Sequence, residues 1–201
     1  MGKVERRKMK LPEGLEPFCT SLEAVQRLLV KFSERGVIIG GIAVSLLGKP
    51  RYTEDLDAMF LLPINDIPRF LGAAKEEGIE PRQEDTTEFA RKHRVLLLRH
   101  VASDINIDIF LGILSFEEEV VERSTVKSVA SLLVRLPTPE DLIIMKAIAH
   151  RLKDLNDIQA IVQKHPDLDF TRIEHWVRSF AEALEAPELW GEIKKIIDAA
   201  K

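Results

Sequence analysis

Asp55-Leu56-Asp57 stands at the head of an apolar run that continues to Leu62. Side chains on an extended strand alternate faces, so both acids point one way and Leu56 the other. Paired carboxylates repel unless a cation lies between them, and hard oxygen ligands suit Mg²⁺ ions that hold a triphosphate. The same tripeptide recurs as Asp167-Leu168-Asp169, which serves as an internal control. That copy follows Pro166 with no glycine pair upstream, and Asp169 reads as a helix N-cap.

What distinguishes the first copy is its context. Gly40-Gly41 separates a short β-branched run from a helix. Lacking a Cβ, these glycines let the backbone approach a ligand, and the helix start offers unpaired N–H groups to an anion. The same glycines could equally serve only the geometry of the turn. Further on, Asp104, Asn106 and Asp108 alternate with Ile105, Ile107 and Ile109, which places the polar set on one strand face. Asp108 is deepest in the apolar run, where an unpartnered carboxylate is costly and a metal would remove the cost. An exposed polar strand face is the plainer alternative.

The elements that must position these groups follow from periodicity and capping. Thr20 or Ser21 is expected to cap an amphipathic helix reaching about residue 33. A strand over 37–39, a helix over 42–47 and a strand over 56–62 come next, followed by a helix over 66–77 that Gly78 stops. Strands are expected over 94–98 and 105–111, a helix over 116–122, and one or two strands within 126–134. Thr138-Pro139-Glu140-Asp141 is a strong helix start: a cap, a proline at the first position, then acids beside the positive end of the dipole. From there the chain reads as helical nearly to its end, with Ile173, Trp176, Val177, Phe180 and Leu184 as a core stripe. Lys146, His150, Lys153 and Asp157 would lie on one face of a single helix. The expected fold class is α/β (α+β): a small mixed sheet with flanking helices over 18–136, a tail over 1–17, and a helical C-terminal region over 137–201.

Bulk properties narrow the function. The chain has 201 residues, 45% of them hydrophobic and 31% charged, with a net charge of −4. That acidic balance disfavours a broad nucleic-acid groove, whose affinity comes from neutralising phosphates. The basic stretches 3–10 and 91–94 read as solvated segments. The lone Cys19 excludes an internal disulfide and any cysteine-based zinc site. No apolar run reaches membrane-spanning length, and no apolar stretch follows the basic start, so a cytoplasmic location is expected.

Gly40-Gly41, then Arg51-x-Thr53-x-Asp55-Leu56-Asp57, then a hydrophobic-Asp-hydrophobic strand, resembles the polymerase-β nucleotidyltransferase superfamily. The segment KAIAHRLKDLNDIQAI over 146–161 is similar to downstream helices of the branch containing AbiEii-type abortive-infection toxins. The resemblance implies a nucleotidyltransferase fold over roughly 36–162 and transfer of a nucleoside monophosphate from a nucleoside triphosphate to a hydroxyl. It implies that Asp55, Asp57 and Asp108 ligate two Mg²⁺ ions (or Mn²⁺), and that Gly40 and Gly41 lie along the phosphates. Many members carry serine as the second residue of that pair, so Gly41 lacks a phosphate-contacting hydroxyl. Lys146 is expected to reach phosphate because the branch places a lysine there. Arg51 either steadies the triphosphate or pairs with Glu54. Asp154 and Asp157 are read as organisers of helix packing. The acceptor stays open among the end of a tRNA, a protein hydroxyl and a small molecule such as an aminoglycoside. Two other readings compete: a catalytically silent nucleotide- or partner-binding member of a toxin–antitoxin pair, and a glycosyltransferase using Asp-x-Asp for a nucleotide sugar.

Overall fold

Along the strand that carries Asp55 and Asp57, Leu56 and Ala58 are fully buried while both acids are half-buried, the expected alternation. This strand is β2 (Asp55–Phe60) in the computed structural model, which describes residues 9–200. Its companions in a five-stranded sheet are β1 (Gly36–Ile38), β3 (Ile79–Pro81), β4 (Val95–His100) and β5 (Ile105–Leu111), in the order β1-β2-β5-β4-β3. β2 and β5 are parallel, and every other pairing is antiparallel. A parallel pair cannot be closed by a hairpin. The chain makes the crossover through α3 (Ile67–Glu76), β3, α4 (Thr86–His93) and β4.

The register of that parallel pair decides the site. Asp57 lies opposite Asp108, and Asp55 opposite Asn106. Residues opposite one another on adjacent strands share a face. Ile107, Ile109 and Leu111 alternate with them into the core. Asp104 does not join this face. It sits in the β4–β5 turn at φ +61° and pairs with Arg99, because the left-handed residue that reverses the chain falls just before β5.

Before the sheet, α1 (Cys19–Lys31) begins ahead of Thr20 and without a side-chain cap. The hydroxyl of Ser21 instead donates back to the Phe18 carbonyl at 3.0 Å. The tail expected over 1–17 is packed from Met9 on. Met9 N–H donates to the Ser128 carbonyl at 2.8 Å, and Leu15 is buried. Of the basic stretch 3–10, residues 3–8 lie outside the described residues. The stretch 91–94 closes α4, and Arg94 donates from Nε and Nη2 to the Leu111 carbonyl at 3.1 and 2.8 Å. β3 and α4 had no sequence signal. β3 is three residues ending in a proline that suits an edge strand, and α4 is short and polar.

α2 (Gly40–Leu47) follows β1 and is almost wholly buried. α5 (Ser115–Arg123) leads into the hairpin of β6 (Thr125–Val129) and β7 (Leu132–Leu136), where α1 and β1 pack on β7. Phe116 of α5 meets Trp176 and Phe180 at ring separations of 5.1 and 5.4 Å. Those rings belong to α8 (Phe170–Ala183), part of a helical C-terminal array with α6 (Pro139–Ala149), α7 (Leu152–Lys164) and α9 (Leu189–Ala200). Both expected caps form. Thr138 Oγ1 accepts from Asp141 N–H at 3.2 Å, and Asp169 Oδ1 accepts from Arg172 N–H at 3.0 Å. In the core stripe Ile173 and Val177 are buried, whereas Leu184 is the C-cap residue and is exposed.

The single helix expected across 146–157 is broken. α6 ends at Ala149, His150 takes φ +49°, and α7 starts at Leu152. Asp154 provides the reason, since its carboxylate accepts the Arg151 N–H at 3.3 Å and so caps a new helix. Lys146 and Asp157 therefore meet across a helix hairpin rather than along one face.

Candidate active site

β2, β5 and the start of α2 form one wall of a cavity of about 870 Å³, and α6 and the start of α7 form the opposite wall. Asp55, Asp57 and Asp108 line it together with Gly40 and Gly41. Arg51 and Lys146 line it as well, so all seven residues singled out from the sequence converge there. The acids come from adjacent strands in register, and the glycines come from the β1–α2 turn.

Gly40 is held at φ +64°, and a Cβ placed there would lie 1.8 Å from Asp57 Oδ2. Both the backbone conformation and the carboxylate resting on the turn therefore require glycine. At Gly41 a Cβ would fall 2.5 Å from Thr53 Oγ1 and 3.3 Å from Arg51 Nη2. Thr53 thus occupies the space into which a serine side chain at 41 would project. Gly40→Ala is expected to destabilise the fold by about 1–3 kcal/mol and to displace Asp57. A urea midpoint equal to wild type would show that the carboxylate does not rest on this glycine.

The acids crowd one another electrostatically. Burial, then the neighbouring Asp108 and Asp55 carboxylates, pushes the Asp57 carboxyl up to about 6. Burial also raises Asp108, opposed by Arg82. Among the described residues, neither Asp55 nor Asp57 has a side-chain hydrogen bond or ion pair, whereas Asp108 is ion-paired to Arg82. The described residues hold no ready-made cage of three acidic, histidine or cysteine ligands. The donor set still fits a hard divalent cation. Two unpartnered carboxylates share one face, and a third on the next strand is bound only through an exchangeable ion pair.

On the opposite wall, Lys146 lines the cavity from α6. Its side chain is 6% exposed, and its ammonium is bound to Asp154 at 2.8 Å and Asp157 at 2.9 Å. Its charge is thus committed to these two aspartates in this structure. Asp157 also binds Arg51, with Nε 2.9 Å from Oδ1 and Nη2 donating to Oδ2 at 3.2 Å. Arg51 thus pairs with Asp157 and not with Glu54, and its Nη1 donates to the Tyr52 carbonyl at 3.0 Å. Arg151 donates to Asp154 from Nε at 2.6 Å and remains 59% exposed along its side chain. In the sequence Arg151 is part of the 146–161 segment that carries the resemblance, but it was given no role of its own. Sequence reasoning missed Arg82, which belongs to no motif. Phe180 lines the cavity as well as packing against Phe116, so the core stripe contributes to the cavity wall.

A family model described as nucleotidyl transferase of unknown function (DUF2204) matches residues 21–189. A search of curated proteins finds no match. Among solved structures, the antibiotic-resistance factor ANT(2'')-Ia is similar with a TM-score of 0.53 and 17% identity, over 84% of this chain and 95% of that one. An antigenic nucleotidyltransferase-like protein from Paracoccidioides brasiliensis gives a TM-score of 0.50 and 16% identity, over 92% of this chain and 94% of that one. At these identities the likeness is one of fold.

Proposed function

The chain belongs to the family described as nucleotidyl transferase of unknown function (DUF2204), and from that premise we propose that it transfers a nucleoside monophosphate from a nucleoside triphosphate to an acceptor hydroxyl. The carrying observation is the convergence of Asp55, Asp57 and Asp108 beside the Gly40 turn in one cavity. In the reaction the acceptor oxygen bonds to the α-phosphorus, the bond from that phosphorus to pyrophosphate breaks, and the acceptor loses its proton. Asp55 and Asp57 would hold two divalent cations, and Asp108 would add its carboxylate on the acceptor side. Mg²⁺ or Mn²⁺ bound there would acidify the acceptor hydroxyl and neutralise charge on the departing pyrophosphate.

The chain's own contribution is positioning. Gly40 and Gly41 let the triphosphate approach the first N–H groups of α2. Arg51 is steered by Asp157, so its fork is already oriented toward the cavity. Across the cavity, Lys146, Arg51 and Arg151 share only Asp154 and Asp157, an excess of one positive charge facing the acids. That excess suits the pyrophosphate end of the substrate. The presence of all three acids supports an enzyme over a silent binding protein.

The test is incubation with each α-labelled triphosphate and Mg²⁺, separately against RNA, soluble protein and small-molecule extract. Label is expected on one acceptor class, abolished by EDTA and by Asp108→Asn. Thermal stabilisation by triphosphate with no transfer to any acceptor would overturn the catalytic reading in favour of a nucleotide-binding protein.

A further inference from the structure

Arg82 stands out because it is the counter-ion of one site acid and belongs to no sequence motif. Its backbone N–H donates to the Leu97 carbonyl at 2.9 Å, extending the β3–β4 pairing by one residue beyond Pro81. Leu97 lies opposite Asp108, and Asp108 opposite Asp57. Arg82, Leu97, Asp108 and Asp57 therefore form one cross-strand row with their side chains on the same face. The guanidinium reaches along this row over Leu97 to the carboxylate of Asp108. Of the three acids it engages only the one on the acceptor side, and it leaves the Asp55–Asp57 pair open.

We propose that Arg82 is a displaceable counter-ion for Asp108: it neutralises this carboxylate in the metal-free protein, and an acceptor-side divalent cation must take its place. The inference rests on the metal-dependent reading of the site given above. Three observations carry it. Asp108 is the one site acid engaged by a cation, and no three-ligand cage is formed among the described residues. Both partners are about a quarter exposed, at 28% and 24%, so solvent screens the pair and it can exchange. The backbone bond to Leu97 anchors Arg82 at the base of its side chain, so release needs only rotation of the side chain. Arg82 is a positioning residue for the third metal ligand. It would make the acceptor-side cation the weaker of the two, bound after the Asp55–Asp57 cation.

The test is a Mn²⁺ titration, followed by electron paramagnetic resonance of the free ion, on the full chain of wild type, Arg82→Gln and Arg82→Lys. Arg82→Gln should bind the weaker Mn²⁺ roughly three- to tenfold more tightly, with Arg82→Lys close to wild type. The gain should vanish in an Asp108→Asn background, which a merely structural role for Arg82 would not produce. Equal or weaker Mn²⁺ binding by Arg82→Gln, with wild type binding normally, overturns the counter-ion role alone. Failure of wild type to bind Mn²⁺ at all would sink the metal-dependent reading and this inference with it.

Discussion

Asp57→Asn should lower nucleotidyl transfer by at least about 10³-fold and, measured in EDTA at pH 8, should raise the melting temperature. The two effects have one cause. Asp57 sits against the Gly40 turn with Asp108 opposite it on the neighbouring strand, and its charge has no partner among the described residues. Its carboxyl is pushed up to about 6 from an ordinary value of 3.8. The folded state therefore holds a proton that the unfolded chain has already released between those two values. The ionised side chain opposes folding in full above about pH 6, and the opposition fades as pH falls toward the ordinary carboxylate value. After allowance for solvent, the penalty is on the order of 2 kcal/mol, or about 4–8 °C in melting temperature for a chain of this size. The variant's advantage should shrink at pH 5, and in wild type Mg²⁺ should recover much of the difference at pH 8. A variant that melts below wild type in EDTA at pH 8 would show that the acid pair is satisfied in some other way.

Lys146→Met should cost about 3–5 kcal/mol of stability, read as a fall in the urea midpoint. Among the described residues the ammonium alone is ion-paired to both Asp154 and Asp157, and both carboxylates are almost fully buried. Removing it leaves Asp154 to Arg151 and Asp157 to Arg51, cations whose side chains are 59% and 28% exposed. Losing the most deeply buried member of an ionic group is expensive because each buried carboxylate then keeps only a partly exposed partner, which does not make up the lost interaction. The change should weaken triphosphate binding too, since Arg51 would be drawn more firmly onto Asp157. Lys146→Met combined with Asp154→Asn should recover part of the lost stability, because it removes one of the two buried carboxylates that lose the ammonium. A urea midpoint for Lys146→Met within about 0.5 kcal/mol of wild type would show that the buried pairs contribute little.

Both predictions concern groups whose types were plain in the sequence but whose partners were not. The alternation of Asp55 and Asp57 about Leu56, and of Asp108 between isoleucines, follows from the two-residue repeat of a strand. It places each carboxylate on its face whatever the rest of the chain does. The caps at Thr138 and Asp169 are equally local, because a side chain and an N–H three residues apart satisfy one another. The glycine turn was legible as a turn. That Gly40 yields its Cβ space to Asp57, and Gly41 to Thr53, was not legible, since both contacts cross from α2 to the segment around β2.

Local pattern was enough to mark which residues could carry the chemistry, which face of each strand they occupy, and where strands give way to helices. Tertiary structure alone decided that β2 and β5 lie side by side in parallel, so that Asp57 meets Asp108. It also decided that Arg82 closes on Asp108 from 26 positions away, and that α6 and α7 fold back to bury Lys146 between two aspartates. The division is physical. Backbone periodicity and capping act over three or four neighbouring residues and leave a repeating mark in the sequence. Ion-pair partners across a crossover or a helix hairpin are chosen by packing, which leaves no such repeat.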